Sequence, residues 1–83
     1  MVYYVYLLKS YDKSKLTTYV GYTTDLKKRL NMHNSGKGAK FTRGRKWKII
    51  YTEKFKTKSE AISREYYIKH NRNFRNLLKK KYS

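Results

Sequence analysis

The chain has no cysteine, and only five acidic residues stand among its 83. Without cysteine there is no disulfide staple and no thiolate metal site. Two histidines and no cysteine make a poor donor set for zinc, so no zinc centre is expected. Thiol-free composition fits a reducing compartment, and a cytoplasmic location is the expectation. Long hydrophobic runs are also lacking. The apolar start, Met1 to Leu8, has no basic segment before it and is too short to span a bilayer. It is read as a strand. No internal repeat and no linker divides the sequence, so residues 1–83 are expected to form one domain with a modest core.

What the chain has in excess is positive charge. Twenty-two Lys and Arg face the five acids, for a formal charge of +17. A compact chain with that balance repels itself and attracts polyanions. Nucleic acid is the first candidate partner and an anionic membrane surface the second. The membrane reading is the weaker, because no helix sets a Trp/Phe/Leu face against a basic one. A merely basic, soluble protein is the bland alternative.

In chain order, Val2 to Lys9 is apolar on both alternating faces, the pattern of a strand buried on both sides. Ser10 to Leu16 is polar and reads as a hairpin loop. Thr17 to Thr23 is a second strand, rich in Thr, Tyr and Val. A helix follows over about residues 25–34, with Gly36 as its stop. Ser35 to Lys46 reads as a loop or short helical turn with three glycines and five basic residues. Glycine-exposed N–H groups beside Lys37, Lys40, Arg43, Arg45, Lys46 and Lys48 suit phosphate oxygens, although a solvated basic loop has the same composition. Phe41 and Trp47 are read as anchors of this loop to the core. Trp47 to Phe55 is a third strand, with Trp47, Ile49, Tyr51 and Phe55 assigned to one face. Thr57 and Glu60 form a capping box for a second helix reaching about Arg72. Asn71 to Asn73 breaks or bends it, Phe74 to Lys80 resumes helical, and Lys79–Lys81 is a basic tail within residues 78–83. The order β-β-α-β-α gives an α+β fold, a three-stranded, largely antiparallel sheet flanked by helices.

The stretch from Tyr19 to His33 organises the rest. Val20 and Tyr22 point to one face of the strand, Tyr19 and Gly21 to the other. Thr24 is the expected N-cap, with Asp25 in the first turn. Leu26, Leu30 and His33 fall at i, i+4 and i+7 and form one stripe, and Arg29 neighbours His33 on one flank. Phenol, guanidinium and imidazole converge here, and together they suit phosphate handling. On the second helix Ala61, Glu65 and Ile68 share one stripe, which places the Glu65 carboxylate among apolar, sheet-facing residues. A carboxylate there needs a cation, donors or a metal. A structural ion pair with a nearby Lys or Arg would suffice.

Tyr19-Val20-Gly21, an Arg eight residues after the glycine and a His four after that resemble the GIY-YIG nuclease superfamily. Tyr4-Val5-Tyr6 stands for the first half of the signature and Glu65 for a later acid. The resemblance covers about residues 2–77 and is nearest to small, stand-alone bacterial members. It departs at Tyr4, where the signature has glycine, and at Tyr22, where some members have lysine. Asn71, Asn73 and Asn76 are the candidates for a later asparagine. The resemblance implies a GIY-YIG-like fold and metal-dependent hydrolysis of phosphodiester bonds in DNA. It also implies Tyr6, Tyr19, Arg29, His33 and Glu65 as catalytic residues, with Glu65 holding one Mg²⁺ or Mn²⁺. One of the two phenols would activate the attacking water and the other position it. Larger relatives carry separate DNA-binding domains, so here the basic face, or a protein partner that supplies substrate targeting, would do that work. The alternatives are a non-catalytic nucleic-acid-binding module on the same fold and a basic RNA- or ribosome-associated protein.

The charge generates a first prediction. Binding to nucleic acid should show little sequence preference, with phosphate contacts from the 35–48 segment and the C-terminal lysines. If about five phosphates are neutralised, log K against log salt should fall with a slope of about −4 to −5. A flat titration would remove the polyanion argument.

Overall fold

The computed structural model describes residues 1–12, 15–38 and 40–82. Strand β1, Tyr3–Asp12, is the centre of a three-stranded sheet. β2, Lys15–Thr23, pairs antiparallel on one side and β3, Lys48–Phe55, antiparallel on the other. The expected hairpin loop is shorter than its polar composition implies, because both strands extend into it. Lys13 and Ser14, between them, lie outside the described residues.

The central position explains the composition of β1. Val5 and Leu7 face one layer, Tyr6 and Leu8 the other, and all four are buried. Helices α2, Lys58–Lys69, and α3, Arg72–Tyr82, cover the Val5–Leu7 face through Ala61, Ile68 and Leu78. Helix α1, Leu26–Asn34, covers the other face, where Leu26 and Leu30 pack against Tyr6, Leu8 and Trp47. The stripe expected on α1 is therefore its packing face.

Several local expectations change in detail. Asp25, not Thr24, caps α1, because its carboxylate accepts the Lys28 N–H at 3.0 Å. Thr23 in turn accepts the Asp25 N–H. Thr57 caps α2 as its capping box implies, accepting the Glu60 N–H. Asn71 ends the α2 run by capping α3, its side-chain oxygen accepting the Phe74 N–H. Lys79–Lys81 are not a tail but the last turn of α3, which Leu78 anchors in the core. Tyr4 pairs regularly with Thr23 and Lys54, so the backbone accepts tyrosine there as ordinary strand.

The third strand departs most. Pairing with β1 jumps between Leu7↔Tyr51 and Leu8↔Ile49, leaving Ile50 as an extra residue. A bulge of this kind resets the alternation of faces. Ile50, Tyr51 and Phe55 join the α2/α3 core, while Ile49 and Trp47 join the α1 core. The single-face assignment of Trp47, Ile49, Tyr51 and Phe55 is thereby corrected.

Ile68 is almost wholly enclosed in the α2/α3 core. Ile68→Ala should destabilise the fold by about 2–5 kcal/mol, read from denaturant unfolding. Its side chain belongs to the layer away from α1, so the environment of His33 should keep its NMR signature.

Candidate active site

Register sets the site. Tyr6 lies directly opposite Gly21, on the α1 face. Its ring crosses over the glycine so closely that a Cβ there would sit 2.4 Å from the hydroxyl. Only glycine allows that approach. The Tyr-Val-Gly element is therefore a packing device: it clears space in the edge strand for a phenol from the central one.

The Tyr6 hydroxyl reaches His33 Nε2 at 3.0 Å. The other imidazole nitrogen, Nδ1, lies 2.8 Å from Thr42 Oγ1. His33 and Thr42 are both 0% exposed. Thr42 belongs to a single 3₁₀ turn, Lys40–Thr42, inside the glycine-rich segment. Trp47 Nε1 donates to the Thr42 carbonyl at 2.9 Å, and Asn34 brackets the Trp47 backbone by accepting from its N–H and donating to its C=O. Half of the expected basic loop is thus a strap over the imidazole. Gly38 permits it, since a Cβ at that position would meet His33 Nδ1 at 2.3 Å. Spacing alone singles out neither Thr42 nor Gly38; what pointed toward them was the three-glycine content of the segment.

Tyr6, Tyr19, Arg29 and Glu65 line one cleft of about 400 Å³. It wraps the corner of the sheet where β1 begins and β2 ends, with Met1, Tyr3, Thr23 and Thr24 also on its walls. Because β2 is an edge strand, α2 can present Glu65, with Lys58 from its first turn, to a cleft to which the opposite layer contributes Tyr6, Tyr19 and Arg29. His33 is not on the wall. It stands behind Tyr6 and packs against the Tyr19 ring, with centroids 5.1 Å apart. Glu65 is half-buried at the rim, whereas Ala61 and Ile68 are enclosed. The expected place inside the apolar stripe is corrected to its flank.

The charges in the cleft are not neutralised by one another. Among the described residues Glu65 makes no hydrogen bond or ion pair. The structural ion pair considered for it belongs instead to Glu53, which holds Arg64 at 2.7 and 2.9 Å. Arg29 Nε is buried and has no acceptor among the described residues. Burial pushes the Tyr6 phenol above its usual range, while the Arg29 guanidinium opposes that shift and Tyr19 and Glu65 add to it. Burial, then Arg29, pushes His33 below its ordinary value, so the ring is neutral at pH 7.

Among the described residues no three His, Cys, Asp or Glu side chains form a ligand cluster. A lone, unpaired carboxylate opening on a cleft still fits a magnesium-like ion, which typically takes one or two carboxylates and completes its shell with water and phosphate oxygens.

The basic residues of the 35–48 segment stand apart from the cleft. Lys37, Lys40, Arg43, Lys46 and Lys48 are exposed. Arg45 instead lies 5.5 Å over the Phe41 ring and donates to Thr17 Oγ1. Trp47 is core as expected, but Phe41 is 53% exposed, resting on Tyr19 and Trp47. Of the asparagines, Asn71 is a helix cap. His70 stacks on Tyr66 on the outer face of α2.

The neutral, buried imidazole makes stability depend on pH. Unfolded, His33 titrates near about 6.5; folded, lower. The unfolded chain binds the extra proton, so stability is full above that range and is lost as pH falls through it. Melting temperature should drop between pH 7.5 and 5.5, and the drop should be smaller in His33→Gln. An identical slope in that variant would mean that His33 is not the group responsible.

A family model for the GIY-YIG catalytic domain matches residues 2–82. A UPF0213 protein of Oceanobacillus iheyensis is 52% identical over 68 residues, covering 81% of this chain and 76% of that protein. A UPF0213 protein of Clostridium perfringens is 55% identical over 67 residues, covering 80% and 69%. The solution NMR structure of a UPF0213 protein from Bacillus halodurans superposes with a TM-score of 0.55 at 44% identity, covering 94% of this chain and 82% of that one. With the family model spanning nearly the whole chain, and with the sheet, its flanking helices and the Tyr-Val-Gly element in place, the chain belongs to the GIY-YIG family.

Proposed function

We propose that the domain hydrolyses phosphodiester bonds in DNA with the help of one divalent ion. The observation that carries this reading is the cleft itself. In a chain with 17 surplus positive charges, the cleft holds a carboxylate with no partner among the described residues and a buried guanidinium nitrogen with no acceptor among them. Leaving a buried donor unsatisfied costs about 1–3 kcal/mol. A phosphate oxygen entering the cleft would satisfy Arg29. Glu65 would then hold the ion. When bound, such an ion neutralises phosphate charge and favours ionisation of the attacking water.

The residues divide the remaining work. Arg29 stabilises the charge that grows on the phosphoryl oxygens as phosphorus becomes five-coordinate. Tyr6 is the phenol placed to receive the proton, because it alone of the two tyrosines is hydrogen-bonded to the imidazole. A protonated phenol accepts the water proton only if it releases its own. Water gives a proton to the Tyr6 oxygen as the Tyr6 proton passes to His33 Nε2. The hydroxide oxygen bonds to phosphorus, the bond to the leaving sugar oxygen breaks, and that oxygen takes a proton from solvent. The His33 imidazolium, disfavoured by burial and by Arg29, then returns its proton to the Tyr6 oxygen as Tyr6 releases the proton it took from water to solvent, which restores the neutral pair. Tyr19 lines the cleft and packs on His33, and positions the water. The exposed cations of the 35–48 segment and α3 would hold the flanking backbone, with a protein partner free to add substrate targeting.

The test is cleavage of branched, nicked and linear DNA with and without Mg²⁺ or Mn²⁺. Glu65→Gln keeps size but removes charge, so cleavage should fall by orders of magnitude while affinity holds or rises slightly. Arg29→Ala should abolish cleavage with a small loss of binding. Tyr6→Phe should cost about 10²–10⁴-fold, the usual worth of a positioned proton acceptor, and Tyr19→Phe less. Melting temperatures must stay near wild type. Normal cleavage by Glu65→Gln would refute the metal assignment. Absence of metal-dependent cleavage on every substrate would leave a nucleic-acid-binding module.

A further inference from the structure

The proton path proposed above needs an imidazole with a bare Nε2, and neutral histidine has two tautomers. Only one leaves Nε2 able to accept. The partners of the ring decide between them. Nε2 meets a phenol and Nδ1 meets an aliphatic hydroxyl, at 3.0 and 2.8 Å. A phenol is the more acidic donor of the two, and an aliphatic hydroxyl oxygen is the better acceptor. The pairing that uses each group best has Tyr6 O–H donating to Nε2 and Nδ1–H donating to Thr42 Oγ1. No water substitutes for either partner at a ring that is 0% exposed. The groups facing the imidazole are Tyr6 from β1, Tyr19 from β2, Arg29 from its own helix and Thr42 from the 3₁₀ turn. None of them is a carboxylate that could take the Nδ1 proton in place of threonine.

We infer that Thr42 is a positioning residue: its buried hydroxyl holds His33 in the Nδ1–H tautomer, which keeps Nε2 free to take the Tyr6 proton. This rests on the hydrolytic reading for its consequence, but the tautomer itself is a property of the resting protein. The hydroxyl is held in place from behind. The Thr42 carbonyl takes the Trp47 indole N–H, and Asn34 fixes the Trp47 backbone to the end of α1. Gly38 leaves the space through which Nδ1 and Oγ1 meet. A segment that composition reads as a phosphate-binding loop thus has a second task on its inner side. It orients the group that stands behind the reacting phenol, as an outer hydrogen-bond partner orients a metal-bound histidine.

The experiment reads the tautomer directly, by two-bond ¹H–¹⁵N correlation of the histidine rings in uniformly labelled protein at pH 7.5, with the exposed His70 as an internal comparison. In wild type, His33 Nδ1 should be of the protonated type and Nε2 of the bare type. Thr42→Val keeps the shape and removes the oxygen, so the ring should shift to the Nε2–H form, which donates to Tyr6. Thr42→Ser should retain the wild-type pattern. Gly38→Ala, which crowds Nδ1 without removing the hydroxyl, should also disturb it. In cleavage assays Thr42→Val should lose roughly tenfold to a hundredfold in rate with DNA affinity unchanged, and Thr42→Ser should recover most of it. An Nε2–H ring in wild type overturns the inference. So does a Thr42→Val protein that keeps both tautomer and rate, or a serine variant that behaves like valine, since the role would then be packing. If wild type cleaves nothing while the tautomer still follows the hydroxyl, the positioning role stands and the hydrolytic reading falls.

Discussion

A buried imidazole must have both nitrogens satisfied, and most of what is distinctive in this fold follows from meeting that constraint at His33. The ring sits at the end of α1, pressed to the sheet by the same helical stripe that buries Leu26 and Leu30. One nitrogen takes its partner from the central strand and the other from the segment after the helix. Two close approaches follow. The Tyr6 ring must cross the edge strand, which requires Gly21, and the following segment must pass against Nδ1, which requires Gly38. Trp47 and Asn34 then tie that segment down. Strand, helix and strap are joined at one side chain that bears no charge at neutral pH.

Around this neutral centre the charges are arranged without being cancelled. Glu53 takes Arg64 in a two-bond pair and Glu60 serves the start of α2. Glu65 is left open to the cleft that Arg29 also lines, and among the described residues neither Glu65 nor Arg29 Nε has a hydrogen-bond partner. Unmet electrostatic needs of opposite sign on one cleft are what an anionic ligand together with a cation would satisfy. The large positive surplus serves a different purpose at longer range. Half of the 22 Lys and Arg side chains belong to the 35–48 segment and α3, where they would attract a polyanion without fixing its geometry.

Local pattern carried much of this from sequence alone. Alternating apolar faces mark β1 as a strand buried on both sides, and its central place in the sheet is the reason. The Thr57 capping box, the Asn71 break and the Leu26–Leu30–His33 stripe each depend on residues a few positions apart, whose mutual geometry a helix or strand fixes by itself. Charge, too, is a sum that needs no structure. On those grounds the fold class and the polyanionic character of any partner were legible, and the motif spacing led to the family.

What only tertiary structure decided are the contacts between elements. The bulge at Ile50, which sends Trp47 and Tyr51 to different layers, follows from pairing with β1 and leaves no mark in the β3 sequence. Glu65 keeps helical spacing with Ala61 and Ile68, but its opening to the cleft depends on β2 being the edge strand. Thr42 lies in a polar, glycine-rich stretch whose composition reads as solvated, and becomes fully buried because His33 requires a second hydrogen-bond partner. Periodicity assigns a side chain to a face of its own element; which groups meet across faces is settled by packing, and by the demand that each buried polar atom find its partner.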